Sequence, residues 1–382
     1  MKRGHALPNT EYSEQDYNSL ELIRLAGMAL LSMQRHSWEQ GLALQAFYEC
    51  GDLDMTTRLC IESVNRISAD GRPATLGVSD GCVDPCSIGE PLLAVLKSLT
   101  NTYKEENLPI EDLKDNSAAD SANDSIDEPA NDSMAEPADA VMDDSIVDSS
   151  EVLFLKSGAE RLLKWALQDA PRNDDGIVYH LTRGTEFWAD SFYMLPPYLA
   201  AAGYTELAIR HVDAYWDALY DKQAGLLCHI WDDKKRVMTD PDHWGVGNGW
   251  VLMALVRMIG LLDENESAVQ RFQSRAAKLI EDILQHRDSE GHFHNILDDP
   301  ASFEEAGIAA MLSYSIYRGC RQGWLVEDLL ETADDLRIYV ESKMDAYGFI
   351  HDVCGAPTFT KSGIAPEQQA IFMMMENASM ML

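Results

Sequence analysis

Apolar residues recur at three- and four-residue spacing across twelve stretches of this chain, and that rhythm constrains the fold more than any other feature. The stretches run over 16–34, 38–50, 55–69, 87–103, 152–169, 189–202, 205–220, 248–263, 266–286, 303–322, 326–344 and 365–380. Their connections alternate in character. Tight ones such as CGDLD, AAGYTE and CRQGW make neighbouring helices antiparallel. After every second helix comes a longer stretch rich in Gly, Trp or Asp, such as DKQAGLLCHIWDDKKRVMTDPDHWGVGNG. Strand patterns are few; GIVYHL and GLLCHIW are the best of them. Twelve helices in six hairpins predict an all-α toroid, six inner helices ringed by six outer ones. The long loops then gather at the end where the inner helices begin, and loops on a rigid scaffold are where chemistry concentrates.

The 382 residues read as a single domain, 1–382, broken by one insertion at 104–151. From Asp115 to Glu151 that insertion holds twelve acidic residues and no Lys or Arg, with a tandem ANDSIDEP and ANDSMAEP. One-sign charge with little apolar content cannot offset the entropy of ordering, so the segment is expected to be disordered. It reads as solvated padding, with no partner assigned. The formal net charge of −34 repels nucleic acid and anionic membranes. The N-terminal stretch lacks the apolar core of a signal peptide, and no apolar run approaches membrane-spanning length. Seven cysteines, an odd number, suit a reducing compartment, and the expectation is a cytoplasmic protein. Cys82 and Cys86 (CVDPC) lack two further ligands at metal-site spacing and read as free thiols.

Candidate chemistry converges on the starts of the even-numbered helices. Asp190 lies in TEFWADSFYMLPPYLA among Phe187, Trp188, Phe192, Tyr193 and Met194. A carboxyl against aromatic surface has its pKa raised and can serve as a general acid; the alternative is a helix N-cap. Asp84, in GCVDPCSIGEPLLAVLK, has the same two readings. A toroid would bring both to one rim, and carboxylates paired across a pocket suit glycoside chemistry. His229, Trp231 and Asp232 lie in another rim loop, His243 and Trp244 in a third, and Glu305 opens the tenth helix. The stretch DHWGVGNGW puts Trp244 and Trp250 around three glycines and Asn248. Glycines admit close backbone approach, and indole faces stack on sugar rings. No serine-nucleophile, P-loop or dinucleotide-binding motif is present.

Taken together, HWGVGNGWVLMALVRMIGLL, EFWADSFYMLPPYLA, VDPCSIGEPLLAVLKSLT, GLLCHIWDD and GHFHNILDDPASFEEAGIAAMLSYSIYRGCRQGWL resemble the motifs of the unsaturated rhamnogalacturonyl hydrolases of glycoside hydrolase family 105, kin to the unsaturated glucuronyl hydrolases of family 88. The resemblance covers most of the chain outside the acidic insertion and the first residues. It implies an (α/α)6 barrel and a small oligosaccharide substrate whose terminal uronyl sugar carries a C4=C5 double bond. An aspartic acid protonates the vinyl ether, water adds at C5, and the product opens with loss of the rest of the chain. By resemblance Asp190 is the proton donor and water activator, and Asp84 is the second aspartate. Trp188, His229, Trp244 and Trp250 match pocket-lining residues, and Trp38 matches an aromatic of the first rim loop. His243 and Asn248 complete the expected substrate contacts. No metal or organic cofactor is implied. Two basic residues of the family pattern are missing: Val246 stands where an Arg is expected, and Leu181 follows His180 where a Lys is expected, with Arg183 close by. That departure keeps one alternative in view, a cytosolic tailoring hydrolase or hydratase acting on a non-uronate small molecule; a non-catalytic sugar-binding toroid is a separate alternative, weighed against the presence of both aspartates.

Overall fold

Helices that are apolar on every side can only sit inside, and those apolar on one face must cover them. The computed structural model, which describes residues 14–73, 80–103 and 149–382, sorts the helices this way. They are α1 (Glu14–Met33), α2 (Ser37–Glu49), α3 (Leu53–Asn65), α4 (Gly89–Tyr103), α5 (Ser149–Lys164), α6 (Ser191–Met194), α7 (Pro196–Ala201), α8 (Thr205–Leu219), α9 (Gly245–Leu261), α10 (Ser267–Leu284), α11 (Gly307–Arg321), α12 (Leu330–Glu341) and α13 (Pro366–Ser379). In α9 every residue from Gly245 to Ile259 is buried. In α10, by contrast, the buried positions are Ala268, Val269, Phe272, Ala276, Leu279, Ile280 and Ile283 with Asp282, the single stripe of an outer helix.

The inner helices close a ring. Helix α2 packs on α4, α4 on α7, α7 on α9, α9 on α11, α11 on α13 and α13 back on α2. Each is backed by an outer partner: α3 on α2, α5 on α4, α8 on α7, α10 on α9, α12 on α11 and α1 on α13. The architecture is the expected six-hairpin (α/α)6 toroid. One buried apolar cluster runs through it, from Ile23 to Ala378.

Three expectations are corrected. The helix expected over 189–202 is two pieces, α6 and α7. Pro196 and Pro197 remove two backbone donors, and Leu195, just before them, opens to φ −110°. GIVYHL makes no strand; it contributes only isolated bridges, Val178 to Arg172 and Leu181 to Gly81. GLLCHIW divides between two short strands. The acidic segment expected over 104–151 lies outside the described residues from 104 to 148. Its last three residues instead open α5, where Glu151 sits favourably in the first turn.

The small sheet at the rim comprises β1 (Glu186–Trp188), β4 (Ile230–Asp232) and β5 (Val237–Asp240), antiparallel in the order β1–β4–β5. A separate hairpin pairs β2 (Tyr220–Asp221) with β3 (Leu226–Leu227). Among the described residues no helix is long and apolar enough to cross a membrane. All seven cysteines are free thiols; Cys82 and Cys86 are buried, and burial pushes Cys82 up to about 12.

Candidate active site

Two loops far apart in sequence are stitched together at the rim. The Cys82 amide donates to the His180 carbonyl at 2.8 Å, and Gly81 bridges Leu181. Arg72 donates to the Gly81 carbonyl at 2.7 Å, and the Trp165 indole donates to the Cys82 carbonyl at 2.9 Å. Asp84 opens the 3-10 turn Asp84–Ile88 that leads into α4. This bracing sets the His180 ring between the two aspartates. Nδ1 lies 3.4 Å from Asp190 Oδ1, and Nε2 lies 3.8 Å from Asp84 Oδ1. Ser191 Oγ, 3.0 Å from Nδ1, fixes the ring from the start of α6.

The two carboxyls differ in setting. Asp190 precedes α6 but makes no capping hydrogen bond, which removes the N-cap alternative. Its Oδ1 is buried without a hydrogen-bond partner, while the side chain keeps 18% exposure. A buried acceptor left unbonded costs stability, so such an atom asks for a functional explanation. Asp84 is deeper, at 8%. Burial pushes its carboxyl up to about 6; Asp190 and Asp80 add to the rise, and His180 and His36 oppose it.

From this pair an aromatic wall extends along the rim. Trp188 stacks on His180 at 4.3 Å with rings 10° apart, and His229 meets the Trp188 edge at 5.5 Å. Trp244 lies 4.9 Å beyond His229, and Phe359 is 5.8 Å beyond Trp244. The sheet holds this order: the Ala189 amide donates to the His229 carbonyl at 3.0 Å, and Trp188 stands opposite Ile230. Side chains alternate along a strand. Phe187 therefore turns inward against Tyr215, while Trp188 faces the rim. His229 Nδ1 pairs with Asp240 at 2.8 Å, a hydrogen bond that holds the Asp240 carboxyl below its usual range. Trp38 stacks on His36 at 4.4 Å, on the side of Asp84.

Three expected substrate contacts lie elsewhere. Asn248 is fully buried and spends its amide on backbone: Oδ1 accepts from Leu227 N at 2.8 Å, and Nδ2 donates to the Leu227 and Trp244 carbonyls at 3.0 Å. Trp250 is 3% exposed and packs on Tyr193, because six residues along a helix carry it about 9 Å deeper and onto another face. His243 directs its ring nitrogens to Asp298, Asp221 and Cys228. Two further candidates are structural. Asp232 holds Thr185 and Lys235, and Glu305 accepts from the Ile308 and Cys354 amides, a capping role. His180 was missed as a site residue; its signal was a histidine ten residues before Asp190, used only to locate Leu181.

Residues 153–372 match the family described as Glycosyl Hydrolase Family 88. The chain belongs to that family. The match includes His180, Trp188, Asp190, His229 and Trp244 and begins after Asp84. Among curated relatives, the unsaturated rhamnogalacturonyl hydrolase YesR of Bacillus subtilis is 27% identical over 180 residues, 43% of this chain and 52% of its own. The unsaturated 3S-rhamnoglycuronyl hydrolase of an Alteromonas species is 25% identical over 163 residues, 39% and 40% respectively. The chain thus spans about half the length of these relatives, or less. The crystal structure of a possible GH105 family member from Salmonella enterica superposes with TM-score 0.70 at 17% identity, covering 98% of this chain and 96% of the other. That likeness shows the fold and extends it across the Asp84 half.

Proposed function

We propose that this family 88 chain removes a terminal C4=C5-unsaturated uronyl sugar from an oligosaccharide left by a polysaccharide lyase. The observation that carries the reading is Asp190: a carboxyl at a helix start with no capping bond, an unbonded Oδ1, His180 beside it and the Trp188–His229–Trp244 wall alongside. Asp190 gives its proton to C4 of the vinyl ether. Positive charge develops at C5 and the ring oxygen. Asp190, now a carboxylate, takes a proton from the water that adds at C5. The resulting hemiketal opens to a ketone at C5 and leaves a hemiacetal at C1, which collapses to an aldehyde as its hydroxyl proton passes to the departing aglycone oxygen. Asp84 lies behind this exchange, within reach of the same imidazole. The indoles stack the sugar and exclude water. Seven free thiols support a cytoplasmic setting.

One observation favours a second reading, with the same chemistry on a non-uronate alkene. Val246 is buried at 2% exposure where the family pattern has an Arg, so that position offers a sugar carboxylate no fork of donors. Arg183, the nearby replacement, is exposed in the turn after His180.

Lyase-generated disaccharides with and without a free uronate carboxylate test both readings, with loss of the double-bond ultraviolet absorbance as the assay. Asp190→Asn is expected to lower turnover by about 10²- to 10⁴-fold while leaving the thermal melt unchanged. Full activity in the folded variant would remove Asp190 from the reaction. Turnover of methyl esters alone would move the substrate to the second reading.

A further inference from the structure

Behind the aromatic wall, three donor atoms of different kinds point at one another. His243 Nε2 lies 3.9 Å from Cys228 Sγ and 3.7 Å from Asp221 Oδ2, and all three ligand atoms fall within 4.8 Å of one another. Cys228 and His243 are buried, and Asp221 is partly exposed. In a tetrahedral zinc site, sulfur, nitrogen and oxygen donors stand about 3.3–3.6 Å apart. The two His243 separations are slightly wider, and with the third pair also inside 4.8 Å a cation would draw the donors together by side-chain movement.

The surroundings fit a coordination centre better than a chance cluster. Asp298 Oδ2 lies 2.7 Å from His243 Nδ1. A carboxylate there places the hydrogen on Nδ1 and leaves the Nε2 lone pair facing Cys228 and Asp221, the arrangement that orients metal-binding histidines. Asp221 uses Oδ1 to accept from the amides of Gln223 and Ala224 in the β2–β3 turn, which leaves Oδ2 directed at His243. The backbones are pinned as well. Cys228 N donates to the Leu219 carbonyl, and the His243 carbonyl accepts from Leu297 N. A bound cation would take the sulfur as thiolate.

We propose that Cys228, His243 and Asp221 bind a divalent cation of the zinc class, with Asp298 orienting the imidazole. A sulfur, an imidazole and a carboxylate form a borderline-soft set that suits Zn²⁺ and Co²⁺ over Mg²⁺ or Ca²⁺. Three protein donors leave a fourth position for water. Binding releases the thiol proton to solvent, and no electron transfer is involved. The cation ties the residue before His229 to the residue before Trp244, so it braces two members of the wall from behind.

Co²⁺ titration of the full, reduced, metal-free chain tests this without reference to the reaction. One equivalent is expected to produce a thiolate-to-cobalt charge-transfer band with the visible absorption of a four-coordinate site, and Zn²⁺ should bleach both. Zn²⁺ should also raise Tm in the wild type, and a chelator should reverse the rise. Cys228→Ser should abolish the band, and Cys320→Ser should leave it intact. Asp298→Asn retains all three ligands and should weaken Co²⁺ binding by about 10- to 100-fold, which keeps the test valid should Cys228→Ser fold poorly. A hydrogen-bonded cluster without metal affinity predicts no saturable band. That result, or a band that survives Cys228→Ser or is unchanged in affinity by Asp298→Asn, overturns the proposal.

Discussion

One imidazole stands between the two rim carboxyls. His180 reaches both aspartates; Asp84 is the deeper, and burial carries it to about 6. Its unfolded value is near 3.8, so the native molecule holds a proton on Asp84 between those limits and loses it as pH rises through about 6. An ionised Asp84 faces His180, the neighbour it shares with Asp190, and under the proposed chemistry the site is then one proton poorer for the transfer to C4. kcat/KM is therefore expected to fall as pH rises through about 6. In Asp84→Asn, which cannot ionise, the residual activity should lose that descending limb. A limb unmoved in the variant assigns it to another group. Sequence alone singled out Asp84 and Asp190 as candidates because each stands at a helix start inside a recognisable motif. His180 escaped because its role comes from two backbone ties, Cys82 N to His180 O and the Gly81–Leu181 bridge, made across about a hundred residues.

The start of α9 shows how an element can be legible while its residues are misread. GVGNGW marks a rim helix, and the glycines serve close packing. A Cβ on Gly249 would sit 2.2 Å from Met311 Sδ, and one on Gly247 would sit 2.8 Å from the Trp244 ring. Asn248 reads as a sugar contact because amides often serve there, but here its side chain imitates a strand. It meets both the N–H and the C=O of Leu227, and so locks α9 to the segment that carries His229. No local pattern announces a partner twenty-one residues away. Asn248→Ala leaves those buried backbone groups unpaired and should cost about 2–3 kcal/mol of unfolding free energy. Asn248→Asp should be at least as damaging, because it turns an oxygen toward the Leu227 and Trp244 carbonyls. Urea denaturation of both variants tests this; an undisturbed midpoint would mean that the clamp carries no load. The proline break between α6 and α7 is the converse case. MLPP is plain in the sequence, but the helical period around it is strong enough to hide the interruption.

Across the whole molecule, the toroid gathers carboxyls at one end because each inner helix begins there. Asp84, Asp190, Glu305 and Glu367 all stand at the starts of inner helices, where the amide ends favour negative charge. The helical period made the ring predictable, and with it the rim. It could not reveal which rim carboxyls would be sealed. Deeper in the ring, charge is balanced: the Arg257 guanidinium on α9 is held by Glu49 of α2 and Glu90 of α4. At the rim, Glu305 and Glu367 are almost completely buried. Burial raises Glu305 to about 7 against its backbone hydrogen bonds, and it raises Glu367 to about 8 with help from Glu39 and Glu305. Glu367 Oε2 has no hydrogen-bond partner. Both groups titrate near 4.5 when unfolded, so over the window from about 4.5 to about 8 the native state binds more protons than the unfolded one. Stability from this source is complete below that window and drains away as pH rises through it. Tm should therefore fall between pH 5 and pH 8.5, in the direction that self-repulsion of a −34 chain also pushes. Glu367→Gln separates the two effects: it keeps the shape, removes the titration and barely alters net charge. Its Tm should decline less steeply over the same range, with the largest gain over wild type at the alkaline end. Parallel melting curves for the two proteins across that range would show that Glu367 is already ionised within the fold.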